Sequence, residues 1–154
     1  MKEEIKENRI MAQEDKQLLL KDICARLPYG VILDVDTTDW KEPQGHIKVK
    51  IEGLGILCKD MSLIVNGSYY GKKYKPYLRP MSNMTDEERK EYEGFIIYRK
   101  HVNAQGQEWD IDCFSFNNSS RLIDWLNAHH FDYRRLIEKG LAIAVNENNN
   151  PYII

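Results

Sequence analysis

The stretch "VILDVDTTDWKEPQGHIKVKIEG", residues 31 to 53, decides the fold. Val31, Leu33 and Val35 alternate with Ile32, Asp34 and Asp36, which is the period of a strand. A polar loop follows. Then Ile47, Val49 and Ile51 alternate with His46, Lys48, Lys50 and Glu52, the pattern of a strand with one buried and one solvated face. The connection is too short for a crossover helix, so the two strands pair antiparallel.

Upstream, "QEDKQLLLKDICARLPYG" predicts an amphipathic helix. Leu19, Leu20, Ile23, Cys24 and Leu27 fall on one stripe at spacings of three and four. Pro28 ends it and Gly30 completes the turn. Downstream, "GILCKDMSLIVNG" reads as one or two further strands closed by Asn66-Gly67. Residues 68 to 84, with two prolines, read as irregular. Thr85 and Glu88 form a capping box for a short helix from Asp86 to about Glu93.

"GFIIYRKHV" and "QEWDIDCFSF" flank "NAQG" and read as a second hairpin. Trp109, Ile111 and Cys113 share one face of its second strand; Asp110, Asp112, Phe114 and Phe116 share the other. Ser119 or Ser120 is placed to cap a helix whose inward stripe is Leu122, Ile123, Trp125 and Leu126. His129 and His130 lie in its last turn, where imidazoles meet free carbonyls. Asp132 is placed to cap a second helix, Tyr133 to Lys139, with Gly140 at its C-terminal end. "LAIAV" reads as a final strand. The expected fold class is α+β: a single domain with an N-terminal helix, a small bent antiparallel sheet that could close toward a barrel, and a C-terminal helix pair. The expected boundaries are a flexible extension over 1–11, the domain over 12–145 and a tail over 146–154.

The chain has 154 residues, 42% hydrophobic and 30% charged, the composition of one ordinary globular domain. A net charge of −2 excludes a global field for nucleic acid or anionic membrane, so such a role needs a local patch. The three cysteines, Cys24, Cys58 and Cys113, lack metal spacing and are expected as buried thiols. The N-terminus has no apolar leader and no run reaches membrane length, so a soluble, cytoplasmic protein is expected.

The strongest candidate for function is "YYGKKYKPYLR", residues 69 to 79. Tyr69, Tyr70, Tyr74 and Tyr77 interleave with Lys72, Lys73, Lys75 and Arg79, and no acid interrupts them. Tyrosines offer stacking faces and the cations offer phosphate contacts. The same composition suits an acidic protein partner. The expected partner is therefore a host protein or a single-stranded nucleic acid, in a non-enzymatic binding module.

"VILDVDTT" resembles the first motif of the haloacid-dehalogenase-like phosphatases, in which the first Asp is a nucleophile and the second a general acid. That chemistry needs Mg²⁺ and a crossover sheet, and the second strand here follows too soon. A metal-dependent phosphohydrolase built from Asp34, Asp36, Asp110 and Asp112 is the alternative from a different class. The four histidines, His46, His101, His129 and His130, lack the spacing of a zinc site. No catalytic residue, metal or cofactor is predicted. A third expectation is a structural subunit, with the apolar "PYII" added as an edge strand to a neighbour.

Three segments carry a further resemblance: "LLLKDICARLPYGV" at 18–31, "KPYLRPMSNMTDEE" at 75–88 and "IDWLNAHHFDYRRLIEKGLAI" at 123–143. They resemble a family of small uncharacterised proteins encoded by gut anaerobic bacteria and their phages and mobile elements. The resemblance implies a bacterial or phage origin and a defined domain, and it carries over no catalytic residue. The stretches 32–74 and 94–118 depart from it.

Overall fold

The computed structural model describes residues 12–51, 55–58, 60–95, 97–113 and 116–152. The expected extension over 1–11 and the last two residues of "PYII" lie outside the described residues. The described elements are α1 (Gln13–Arg26), β1 (Ile32–Asp36), β2 (His46–Lys50), β3 (Gly55–Leu57), β4 (Leu63–Val65), β5 (Ser68–Gly71), β6 (Tyr74–Leu78), α2 (Asp86–Gly94), β7 (Ile97–Val102), β8 (Glu108–Cys113), α3 (Phe116–Ala128) and β9 (Ile143–Ala144). The class is α+β.

The strands form a four-stranded sheet in the order β2-β1-β6-β9, a three-stranded sheet β3-β4-β5 and the hairpin β7-β8. β1 and β2 pair antiparallel, Ile32 opposite Lys50 through Asp36 opposite His46, as their short connection requires. Two corrections follow. The larger sheet is mixed, because β9 joins β6 in parallel at Tyr77–Ile143 and Leu78–Ala144. The sheets do not close into a barrel, since each keeps its own edges.

The segment 68–84 is not irregular at its start. Asn66 and Gly67 both take positive φ, 52° and 81°, and turn β4 back into β5. β6 then enters the larger sheet despite Pro76. The ladder explains the tolerance. The Asp36 amide bonds the Lys73 carbonyl, and the register continues Val35–Tyr74, Asp34–Lys75, Leu33–Pro76. Alternation of an antiparallel ladder makes Leu33–Pro76 a non-bonded position. On its other side β9 begins only at Tyr77, so the missing proline N–H is not needed.

The main core lies under the four-stranded sheet. Leu19 and Ile23 of α1 pack with Val31, Leu33, Val35, Val49, Ile51, Leu63, Val65, Tyr74, Leu78 and Leu136. Burying each such side chain contributes roughly 1.5–3 kcal/mol. Cys24 departs from the expected stripe and is exposed, and Cys58 is half-buried. The stripe instead shares α1 with a fully buried ion pair. Arg26 Nε donates to Asp22 Oδ2 at 2.8 Å, and both side chains are out of solvent. Arg26 Nη2 also donates to the Phe131 carbonyl at 2.7 Å, and Arg134 Nη1 donates to Asp22 Oδ1 at 2.9 Å. One arginine of the same helix and one from a distant segment thus neutralise one carboxylate.

α2 carries the predicted capping box: the Thr85 side chain accepts from the Glu88 amide while Glu88 accepts from the Thr85 amide. α3 starts at Phe116, so Ser119 and Ser120 lie inside the helix rather than at its cap. Leu122 and Leu126 are buried against Phe131, but Ile123 is exposed. α3 ends in a Schellman motif: the Phe131 amide bonds the Leu126 carbonyl and the His130 amide bonds the Asn127 carbonyl. His130 takes the left-handed position, φ 63°, where glycine is usual.

The second helix of the expected pair does not form. Arg135 is left-handed, φ 60°, which breaks any helix started at Tyr133. Asp132 still caps, but further along. Its Oδ1 accepts from the Leu136 amide at 2.8 Å and its Oδ2 from the Ile137 amide at 3.0 Å. What it caps is a single turn, closed by Gly140 at φ 72° and the Leu141-to-Leu136 bond. The hairpin β7–β8 pairs as its sequence predicts, Ile97 opposite Cys113 through Val102 opposite Glu108. The face assignment expected for its side chains, and Phe114, lie outside the described residues.

Candidate functional site

The basic-tyrosine segment divides when it folds. Tyr74 and Tyr77 are buried. The Tyr74 hydroxyl donates to the Met61 carbonyl at 2.7 Å, and burial pushes its phenol far above the ordinary range. Arg79 forks onto Glu88, Nη1 to Oε2 and Nη2 to Oε1, each at 2.7 Å. Its guanidinium lies 4.2 Å from the Phe131 ring centroid and also reaches the His129 and Asn83 carbonyls. These three residues serve the fold. Tyr69, Lys72, Lys73 and Lys75 stay exposed, with Tyr69 at 62%. Tyr70 is half-buried and tilts against Trp40, centroids 6.1 Å apart.

Strand alternation brings Lys75 to the outer face of the larger sheet, beside side chains that the segment alone does not contain. On β2 the same face carries His46, Lys48 and Lys50; on β1 it carries Ile32, Asp34 and Asp36. In register the rows read Lys48–Asp34–Lys75 and His46–Asp36, with Lys73 bonded by its carbonyl to the Asp36 amide. Neighbouring strands stand about 4.8 Å apart, so the lysines of β2 stand roughly 10 Å from Lys75 on β6. Along one strand the cations repeat every second residue, about 6.7 Å.

The acids between those lines are engaged. Asp34 is not an outward, solvated aspartate as its alternation suggests; it is 9% exposed. Its Oδ2 accepts from His46 Nδ1 at 2.7 Å, and the Tyr77 hydroxyl points at its Oδ1 from 3.5 Å. The bond to Asp34 raises His46 above its ordinary value. Asp36 Oδ1 accepts from the Thr38 amide at 3.0 Å, which lowers its carboxyl. At the rim, Lys73 Nζ meets Asp39 Oδ2 at 2.6 Å and Lys72 lies 3.6 Å from Asp60. Lys48 Nζ stands 5.7 Å over the Tyr77 ring.

β1 and β8 belong to different sheets, so the Asp-x-Asp pairs share no sheet face. The side chains of Asp110 and Asp112 lie outside the described residues. Among the described residues no three His, Cys, Asp or Glu side chains gather to hold a metal ion. Comparison with protein-family models, curated proteins and solved structures finds no match for the chain. No helix among the described residues is long and apolar enough to cross a membrane.

The second sheet offers a different surface. Ile56, Ile64 and Tyr69 form one cross-strand row over β3, β4 and β5. Ile56 and Tyr69 are two of the exposed large apolar side chains. Sequence reasoning found Tyr69 but missed Lys48, Lys50, His46 and Trp40. For the three β2 residues the signal was the alternation of "HIKVK", which marks a solvated face without telling what lies beside it; Trp40, in the loop before it, carried no such signal.

Proposed function

We propose that the protein is a non-enzymatic binding module that holds the phosphate backbone of a single-stranded nucleic acid on the outer face of the larger sheet. One observation carries this reading: the β2 line of His46, Lys48 and Lys50 on one side, and Lys75 of β6 with Lys73 just before it on the other, flank acids already committed to His46, Tyr77 and Thr38. Anionic strands bind such lines through counterion release. Tyr69, exposed on β5 of the smaller sheet, offers a ring face for a base. The role fits an accessory protein of a phage or mobile element.

The test is fluorescence anisotropy with a labelled mixed-sequence oligonucleotide across a salt series. Binding is expected to weaken linearly in log–log form, with a slope near 0.7 per phosphate neutralised. Lys48→Ala with Lys75→Ala reduces that slope by about one to one and a half units. Absent or salt-independent binding overturns the reading.

The Ile56–Ile64–Tyr69 row favours a second reading, a protein partner docking on the smaller sheet. Ile56→Ser separates the two, because it weakens a protein contact on the smaller sheet and leaves oligonucleotide binding unchanged.

A further inference from the structure

His130 and Tyr152 couple a titratable ring to the seam between two strands. The imidazole stacks on the Tyr152 phenol with centroids 3.7 Å apart and planes at 9°. The Tyr152 hydroxyl donates to the Tyr77 carbonyl at 2.7 Å and accepts from the Ile32 amide at 3.1 Å. The β1–β6 ladder gives this position meaning. Its last registered pair is Leu33–Pro76, a non-bonded position, so alternation puts the next bonded position at Ile32 opposite Tyr77. There the phenol stands between the strands and replaces the direct bond. The tail thereby seals an apolar cluster of Ile32, Tyr77 and Val145.

The ring that steadies Tyr152 is poorly placed to hold a proton. His130 Nδ1 is buried and bonds nothing. A proton there is a donor without an acceptor. Burial, then Arg26 from α1, Arg79 after β6, neighbouring His129 and Lys50 from β2, push His130 down to about 4. The nearby carboxylate, Asp22, also acts on Tyr152 but is already held by Arg26 and Arg134. The aromatic face of Tyr152 attracts an imidazolium. That single face does not offset burial together with the surrounding cations.

We propose that the His130–Tyr152 stack is a proton-operated latch: protonation drives the imidazole off the phenol and releases Tyr152 from the β1–β6 seam. The latched state binds the proton less tightly than the open state, so opening grows as pH falls. The gain is tenfold per pH unit between 6.5 and about 4, bounded near roughly 300-fold.

Amide hydrogen exchange at Ile32, corrected for the intrinsic pH dependence of exchange, reads the latch directly. Between pH 7 and pH 4.5 its protection in the full chain is expected to fall about 60-fold. The Asp34 amide, two residues along the same ladder, stays protected. His130→Asn keeps a residue that tolerates the left-handed cap and removes the imidazole; its Ile32 protection is expected to be independent of pH. Tyr152→Phe is expected to expose Ile32 at both pH values. Constant protection at Ile32 in the unsubstituted chain overturns the latch. So does parallel loss at Asp34, or an unchanged pH response in His130→Asn.

Discussion

Asp34 bonds His46, its diagonal neighbour across the β1–β2 ladder, rather than Lys48, which stands directly opposite. Diagonal pairs on one sheet face are within reach of an imidazole. The choice leaves Lys48 to lie over the Tyr77 ring and keeps the lysine line of β2 turned outward. It also makes His46 the residue through which pH acts on this face.

The His46 pair gives the first prediction. Its pKa is raised in the folded state by the bond to Asp34. The stabilisation is therefore fully present below the unfolded value of 6.5 and is lost as pH rises through the raised folded value. An NMR titration of the His46 ring is expected to report a pKa above 6.5, and Asp34→Asn to return it toward 6.5. A midpoint at or below that value in the unsubstituted chain contradicts the pair.

Arg79 carries the second. Its fork to Glu88 is mostly buried and braces β6, α2 and the end of α3 together. Arg79→Ala leaves Glu88 without its cation, and urea unfolding is expected to show a loss of about 3–5 kcal/mol. Arg79→Lys restores charge without the fork and recovers only part of this.

Glu88 supplies the acid limb of the same contact. Arg79 holds its carboxyl down, from 4.5 to about 2. Its contribution is present above pH 4.5 and is lost as pH falls through about 2. The loss is bounded near roughly 3 kcal/mol, since one pKa unit corresponds to about 1.4 kcal/mol. Acid unfolding of Glu88→Gln is expected to be flatter over that window than that of the unsubstituted chain.

Asp132 gives the fourth. Its two oxygens satisfy two backbone amides of the turn that carries buried Leu136. Asp132→Ala is expected to lower stability by about 1–2 kcal/mol. An unchanged melting curve removes Asp132 as a structural cap.

The elements most legible in the sequence were those set by local chemistry. The alternation of β1 and β2, the Thr85–Glu88 box and the Asn66-Gly67 turn each fix their own backbone. Elements set by distant partners were not legible. β6 holds Pro76 because the ladder position opposite Leu33 needs no donor there, a fact that exists only once β1 is paired. Ile32, at one end of the outer side of β1, is buried because Val145 and Tyr152 arrive from the other end of the chain. Asp22 and Arg26 sit at helical spacing that reads as a solvated face, yet Phe131 and Arg134 close over them. The candidate site behaved likewise: "YYGKKYKPYLR" announced cations and rings, but folding drew Tyr74, Tyr77 and Arg79 inward and replaced them with Lys48 and Lys50 from β2.

Shift mapping of the isotope-labelled protein with a short thymidine oligonucleotide locates the binding face. Perturbations are expected to concentrate at Lys48, Lys50, Lys73 and Lys75, with α2 unmoved. Perturbations centred on α2 or on the Ile56–Ile64 row, or none at low salt, would contradict this placement.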